Sequence, residues 1–406
     1  MAEEVEAAVK KSKIPWVNIL RIALPFSFAL NLGWFGVLTF VNLYITKELG
    51  HPAESWVMCS TIYIGFNAAG CLASGWIAPK IGIRQLMLIS YMVMGIGYIG
   101  LAYTQNLFII VGFMVFIGIA TGLSSTAYHS MILGISGDRP GQCVSISVAI
   151  LSILGAVIIV DMGEGIKQFD YNHVFSVCGI IMLLVGFCFY FTSAKVQREL
   201  QNTKDEDLFQ VIKENWRELL RPGLFFLFLL GMFEPLIYHT ANSLLPNLYE
   251  KFNVDEAYIG NIVGYTRLAS VLGAFTIGIM FEWVRPKTRW GIGLSLVALS
   301  ILLMGMVENI NTVLAIFLFY NFVYVLNWCS NSVAFAEAMG EGKRTAAVAI
   351  MTSGMLTMTF LVGIFHTILL HHFKVSVSNV FIICGGIGVA AGIALIFIPH
   401  VKPKKN

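Results

Sequence analysis

The groups in this chain best able to do chemistry lie inside apolar runs. The segment Gly231–Thr240 reads GMFEPLIYHT and places a carboxylate, a proline, a tyrosine and a histidine amid a long hydrophobic stretch. A charge held at mid-bilayer costs on the order of 2–3 kcal/mol even on the mildest scale, so each one kept there points to function. Glu234 can take and release a proton. Arg267, in NIVGYTRLAS, carries a planar fork that donates two parallel hydrogen bonds and suits carboxylate or phosphate. At a rise of ~1.5 Å per residue, Glu234 lies ~18 Å from the start of the seventh apolar stretch and Arg267 ~17 Å into the eighth. Run antiparallel, the two stretches bring both charges to one depth. Either they form a structural ion pair, or they work: Glu234 takes a proton, Arg267 takes an anionic substrate, and their attraction holds the empty site. Arg267 drawn toward a substrate would leave Glu234 free to take its proton, which couples the two movements.

Lesser candidates surround this pair. Tyr238 and His239 follow Glu234 on the same stretch, and Pro235 is expected to bend the helix between Glu234 and His239. His129 lies in SSTAYHSM of the fourth stretch. The tenth carries a polar stripe of Asn321, Tyr324, Asn327 with Trp328, and Asn331, at steps of three and four that share a helix face. The first has a thinner stripe of Asn31, Trp34, Leu38 and Asn42. Such amides and aromatics bind small polar ligands, and they also join helices to one another. Asp161 and Glu164 fall at the end of the fifth stretch and suit a mouth or gate. His366, His371 and His372 cluster without a carboxylate or cysteine nearby in sequence, so no metal site is expected and no cofactor is implied. The seven cysteines form no C-x-x-C pair and read as small buried hydrophobes.

The elements that must position these groups follow from composition. Of 406 residues, 57% are hydrophobic and 12% charged, with mean hydropathy +0.78; soluble domains carry about 25% charged residues. Polar surface on this scale does not cover a soluble protein, and a net charge of +3 gives no footing for nucleic acid. Twelve apolar stretches, each near the ~20 residues a spanning helix needs, begin near residues 16, 54, 84, 107, 142, 172, 222, 256, 290, 311, 344 and 376. The first is too long for a signal-peptide core and lacks a small-residue cleavage site, so it is expected to remain as a helix. One connection is long, Ala194 to Pro222, with Leu208, Val211, Ile212, Trp216 and Leu219 at helical spacing, which suits an amphipathic helix on the membrane surface. Three domains result: 1–193, a six-helix bundle; 194–221, a cytoplasmic linker; 222–406, a second six-helix bundle. With the N-terminus cytoplasmic, the opposite side receives only Lys47, Lys167, Lys251 and Lys374 of 26 Lys and Arg residues, so both termini are expected in the cytoplasm.

The two halves are related by an offset of 203 residues. GCLASGWIAPKIGIRQ (70–85) falls on GAFTIGIMFEWVRPKTR (273–289), pairing Gly70 with Gly273 and Gly75 with Gly278. SGDRPGQ falls on MGEGKRT and pairs Asp138 with Glu341. One offset linking two separate connections implies a duplicated six-helix unit with parallel halves. The expected fold class is an all-α membrane protein of twelve transmembrane helices in two pseudo-symmetric six-helix bundles.

Twelve helices, a long central linker and the spacing Gly75, Pro79, Lys80, Gly82, Arg84 resemble the major facilitator superfamily over essentially the whole chain. The acidic residue of that family's motif is replaced by Pro79, while the second copy keeps Glu282 with Arg285, Lys287 and Arg289. The resemblance implies a cytoplasmic gate between the halves built from such charges, extended by Asp138–Arg139 and by Glu341 with Lys343–Arg344; the alternative is that these charges only set topology. It also implies a central cavity lined by helices 1, 4, 7 and 10, on which the candidate residues fall. Asn31 is the 203-offset counterpart of Glu234.

The expected function is secondary active transport of a small organic solute, an anionic carboxylate among the options, by alternating access with proton coupling through Glu234. Its partners would be that solute, protons and the lipid bilayer, with no nucleic acid, and the chain would act as a monomer, in a bacterial inner membrane rather than an organelle. The alternatives are a drug or lipid exporter working by proton antiport and a non-transporting sensor. The family's antiporters carry a Gly-Pro motif on the fifth helix, whereas ILGAVIIVDMGEG has no proline, which favours import or exchange. No serine elbow, H-E-x-x-H or Walker loop occurs, so an enzyme is not expected.

Overall fold

The computed structural model describes residues 14–33, 40–41, 44–51, 53–137, 139–194, 196, 222–250, 256–280, 283–339 and 344–399, and these hold no strand. Six helices form the first half: α1 (Trp16–Leu30), α2 (Ala53–Ile81), α3 (Ile83–Ala102), α4 (Leu107–Ile135), α5 (Pro140–Gln168) and α6 (Tyr171–Thr192). The second half has α7 in two pieces, α7a (Pro222–Gly231) and α7b (Glu234–Glu250). It continues with α8 (Glu256–Met280), α9 (Pro286–Met306), α10 (Ile310–Met339), α11 (Arg344–Thr367) and α12 (Val377–Phe397). Ten of these spans are long and apolar enough to cross a membrane. The other two, α2 and α8, are 29 and 25 residues long and complete twelve. Of the central linker only Ala194 and Val196 are described, so its expected amphipathic helix lies outside the described residues.

Local chemistry sets the helix starts. Asn106 caps α4 by accepting from Phe108 N at 2.9 Å, and Asp170 and Ser376 cap α6 and α12 in the same way. Pro140 and Pro286 open α5 and α9, where a missing N–H costs nothing. Asp170 lies beyond the end of α5, and the His173 backbone N–H it accepts holds its carboxyl below the usual carboxylate range.

The seventh span is interrupted, but not where the sequence suggests. The break falls at Met232–Phe233, before Glu234, rather than between Glu234 and His239. Proline acts upstream: Pro235 cannot donate to the carbonyl of Gly231, four residues earlier, and its ring crowds that carbonyl. The turn tightens to compensate, with Met232 N donating to Leu229 O (3.2 Å) and Phe233 N to Leu230 O (3.1 Å). Glu234 thereby becomes the first residue of a new helix inside the membrane.

The 203-residue offset reappears as geometry. A Cβ on Gly70 would strike the Ile119 carbonyl where α2 meets α4, and one on Gly273 would strike the Phe322 carbonyl where α8 meets α10. Both members of each pair are 203 apart. Between the halves, α5 packs on α8 and α2 on α11, which the same offset exchanges. The end of the molecule where α6 stops and α7a starts, here the linker end, is closed. Ala274, Ile277, Cys329, Val333 and Val348 of the second half belong to the same buried cluster as Tyr128, Cys143 and Val144 of the first. The outer portion of the second half has its own cluster, built on Ile237, Ile301 and Phe381.

Candidate functional site

Glu234 is 2% exposed at the start of α7b, where the positive end of the helix dipole favours a carboxylate. Its Oε2 accepts from Trp290 Nε1 of α9 at 3.2 Å and from Asn331 Nδ2 of α10 at 3.0 Å. Gly231 makes the approach of the indole possible, because a side chain there would overlap the Trp290 ring. The Oε1 oxygen has no hydrogen bond among the described residues. Asn327, with no exposed surface, comes alongside the same carboxylate, and neither of its amide atoms has a normal hydrogen bond among the described residues. The carboxylate is thus buried, with one oxygen held by two neutral donors and the other without a hydrogen bond among the described residues.

Arg267 does not pair with it. Among the described residues no ion pair joins Glu234 to Arg267, so the first of the two alternatives, a structural ion pair, is not seen. Their contacts differ: Glu234 faces α9 and α10, while Arg267 comes against α5 of the other half. There Gly155 leaves room, since a Cβ on it would come within 3.3 Å of Arg267 Cδ and also meet Asn31 Oδ1. Asn31 sits in a π-helical turn, the irregularity that often marks a functional position. It gives both amide hydrogens to carbonyls, Ser27 O and Leu151 O at 2.8 Å each, and its own oxygen stays without a described hydrogen bond. Arg267 therefore lies at the junction of the halves, with the electron-rich Tyr238 and Tyr324 nearby.

Several expected residues converge here. Tyr238 stacks on Tyr324 with centroids 5.4 Å apart. Tyr324 leads along α10 to Trp328, and Trp328 faces His129 of α4 at 6.5 Å. His129 Nδ1 is held 2.8 Å from Ser125 O. Asn321 turns back on its own helix, donating to Phe317 O at 2.9 Å. His239 stands apart: its ring stacks at 5.4 Å on His366 of α11, whose Nε2 lies 3.0 Å from Thr240 Oγ1. Trp34 and Asn42 lie outside the described residues.

With this geometry in place, the chain can be compared with known proteins. The family model of the Major Facilitator Superfamily matches residues 23–320 and again 227–406. The chain belongs to the major facilitator superfamily. Among solved structures, the proton:xylose symporter XylE bound to 6-bromo-6-deoxy-D-glucose aligns with a TM-score of 0.71 and 16% identity. That alignment covers 96% of each chain, and it shows the shared fold. No curated protein matches the sequence. Membership in the superfamily supports secondary transport and points away from an enzyme.

The superfamily's charged linker-end positions take up mixed places. Arg84 donates from Nε to Tyr190 O at the end of α6 and lays its guanidinium 3.7 Å over the Tyr190 ring. Lys287, its 203-offset counterpart, donates to Ile396 O (3.0 Å) and Ile398 O at the end of α12. These described contacts stay within one half each and tie a helix C-terminus, where cations are favoured; they do not bridge the halves. Lys80 lies over Trp76 at 4.0 Å, and Arg139 reaches Gln142 on its own helix. Arg285 shares a shallow crevice with Lys287 and Glu337. Arg289 is 1% exposed, with Glu337 near it. Asp138, Glu282 and Glu341 lie outside the described residues, as does the side chain of Arg344. Asp161 and Glu164 are exposed at the end of α5 away from the linker, and His372 is exposed beyond α11. The described residues hold no group of three or more metal-ligating side chains.

Two residues of the site escaped sequence reasoning. Trp290 lies near the start of α9, and sequence reasoning assigned it no role. Gly155 is one of 38 glycines, and nothing local marks it as the space for Arg267.

Proposed function

We propose that this chain is a proton-coupled carrier of a small organic anion that works by rocking of its two halves, 1–193 and 222–406, about the midplane. The observation that carries this is the buried carboxylate of Glu234, held through one oxygen by Trp290 and Asn331, with its other oxygen buried and without a hydrogen bond among the described residues. Arg267 reaches the junction with the other half, where Gly155 leaves it room. Arg267 binds the anionic group of the solute, and Glu234 takes the proton that travels with it. Asn31, His129, Tyr238, Tyr324, Asn327 and Trp328 surround the solute. His239, stacked on His366, is a supporting group toward the outer side. The likeness to a proton:xylose symporter supports proton coupling in this fold. The asymmetry of Lys and Arg supports cytoplasmic termini.

The test is uptake by the purified chain in proteoliposomes, with and without a pH gradient, across carboxylates, sugars, amino acids and nucleosides. An anion should accumulate only with the gradient. If no solute in the panel moves, carriage is refuted; accumulation that ignores the gradient refutes coupling alone.

A further inference from the structure

His366 is a buried titratable group outside the site around Glu234. Its ring faces that of His239 between α11 and α7b, with centroids 5.4 Å apart and planes within 7° of parallel. It is only 4% exposed and lies close to the end of α11 away from the linker. Its Nε2 stands 3.0 Å from Thr240 Oγ1 of α7b and 3.7 Å from Cys384 Sγ of α12. The tautomer follows from the threonine hydroxyl. Thr240 has one hydrogen to give, and its Oγ1 lies 2.6 Å from Leu236 O, an oxygen that can only accept. That hydrogen goes to Leu236, so Thr240 accepts from His366 and the ring proton sits on Nε2. Nδ1 is then a bare acceptor, buried and without a hydrogen bond among the described residues. A buried acceptor left bare is costly, which makes it a place to look for a ligand.

We propose that the stack of His239 and His366 is a latch released by a proton: neutral, it holds α7b to α11, and once Nδ1 takes a proton His366 leaves it. The titratable groups that face His366 are His239 from α7b and Cys384 from α12. α2, α4 and α10 also pack on α11, and among the described residues none of them brings a charged or titratable side chain into contact with His366. A proton taken from water turns the bare acceptor into an N–H with no acceptor to receive it, and it sets a positive charge where no carboxylate faces it. The charged ring satisfies both needs only in water, away from the stack and from Thr240. A second proton, on His239, would place like charges face to face and drive the rings further apart. The latch requires neither the role proposed for Glu234 nor a solute.

Amide hydrogen exchange of the purified full-length chain in nanodiscs tests this, read by mass spectrometry at pH 7.5 and 4.5 and corrected for the chemical exchange rate at each pH. A histidine that binds its proton only in the open form favours opening by up to about tenfold for each pH unit below its titration range. Peptides covering the end of α11 and the facing part of α7b should therefore exchange at least about tenfold faster at pH 4.5 in the native chain. His366→Gln keeps an N–H for Thr240 and cannot take the proton, so it should lose that acceleration; His366→Asn serves if the glutamine variant does not fold. His239→Leu removes the stack at any pH and should exchange faster already at pH 7.5. Nitrogen-15 histidine spectra of the same nanodiscs, with the His366 signals assigned by their loss in the variant, should show a neutral ring protonated on Nε2 at pH 7.5 and an imidazolium at pH 4.5. A His366 that carries its proton on Nδ1, or stays neutral at pH 4.5, overturns the proposal. So does equal acceleration in the native chain and in His366→Gln, an imidazolium that leaves exchange unchanged, or native protection in His239→Leu.

Discussion

At the scale of single residues, the role proposed for Glu234 depends on its partners being neutral. Trp290 and Asn331 donate to the carboxylate without adding charge, so the oxygen they hold stays in place whichever form the other oxygen takes. Removing one buried donor to a charged group costs about 1.5–3 kcal/mol. Trp290→Phe should therefore lower the unfolding midpoint in detergent measurably, and Glu234→Gln, whose amide oxygen still accepts from both donors, should lower it less. A larger loss in Glu234→Gln would show that the ionised form holds the fold together. Arg267→Lys keeps the charge and loses the fork, so affinity for an anionic solute should fall about tenfold, as expected for one lost charge-assisted bond; unchanged affinity would remove Arg267 from the site. Both charged residues were legible in the sequence, because an ionisable group in an apolar run is costly wherever the helix turns. Their partners were not. Trp290 and Asn331 lie 56 and 97 residues from Glu234, and helical rise predicts depth but not direction, so the expected depths of Glu234 and Arg267 suggested a pair that the described contacts do not show.

At the scale of elements, the proposed transport requires motion. The break at Met232–Phe233 divides α7 into two pieces, and Glu234 opens the second. Pro235→Ala returns an N–H to the Gly231 carbonyl and favours one continuous helix. The expected outcome is an unfolding midpoint that does not fall, together with transport slowed several-fold; an unchanged rate would mean that the break is incidental. The sequence pointed to a disturbance near Pro235, and its placement upstream follows from the carbonyl that proline leaves unpaired. Arg84 and Lys287 act on elements too, each tying the end of the last helix of its own half. Arg84→Ala and Lys287→Ala should each cost about 0.3–1 kcal/mol of stability, read by thermal unfolding, with similar effects in the two variants. The family resemblance suggested a gate for these positions, since a basic residue in a linker-end connection looks the same whether it faces the other half or its own.

For the whole molecule, the duplication was legible as a single offset of 203 residues, and the close approaches at Gly70 and Gly273 repeat it in space. Which end is closed was not legible, because one sequence would serve both states of the rocking proposed above. In this structure the halves share a core at the linker end, with Cys143 of α5 and Cys329 of α10 both fully buried in it. A membrane-impermeant maleimide applied from that end should label neither cysteine in the resting protein and should label them during turnover. Equal labelling in both conditions would argue against opening at that end. The most direct measurement compares the native chain with Glu234→Gln in proteoliposomes, following solute accumulation under an inward proton gradient and, in parallel, exchange of solute at equal pH. The account predicts that Glu234→Gln loses gradient-driven accumulation while exchange continues. Accumulation in the variant equal to that of the native chain would contradict it.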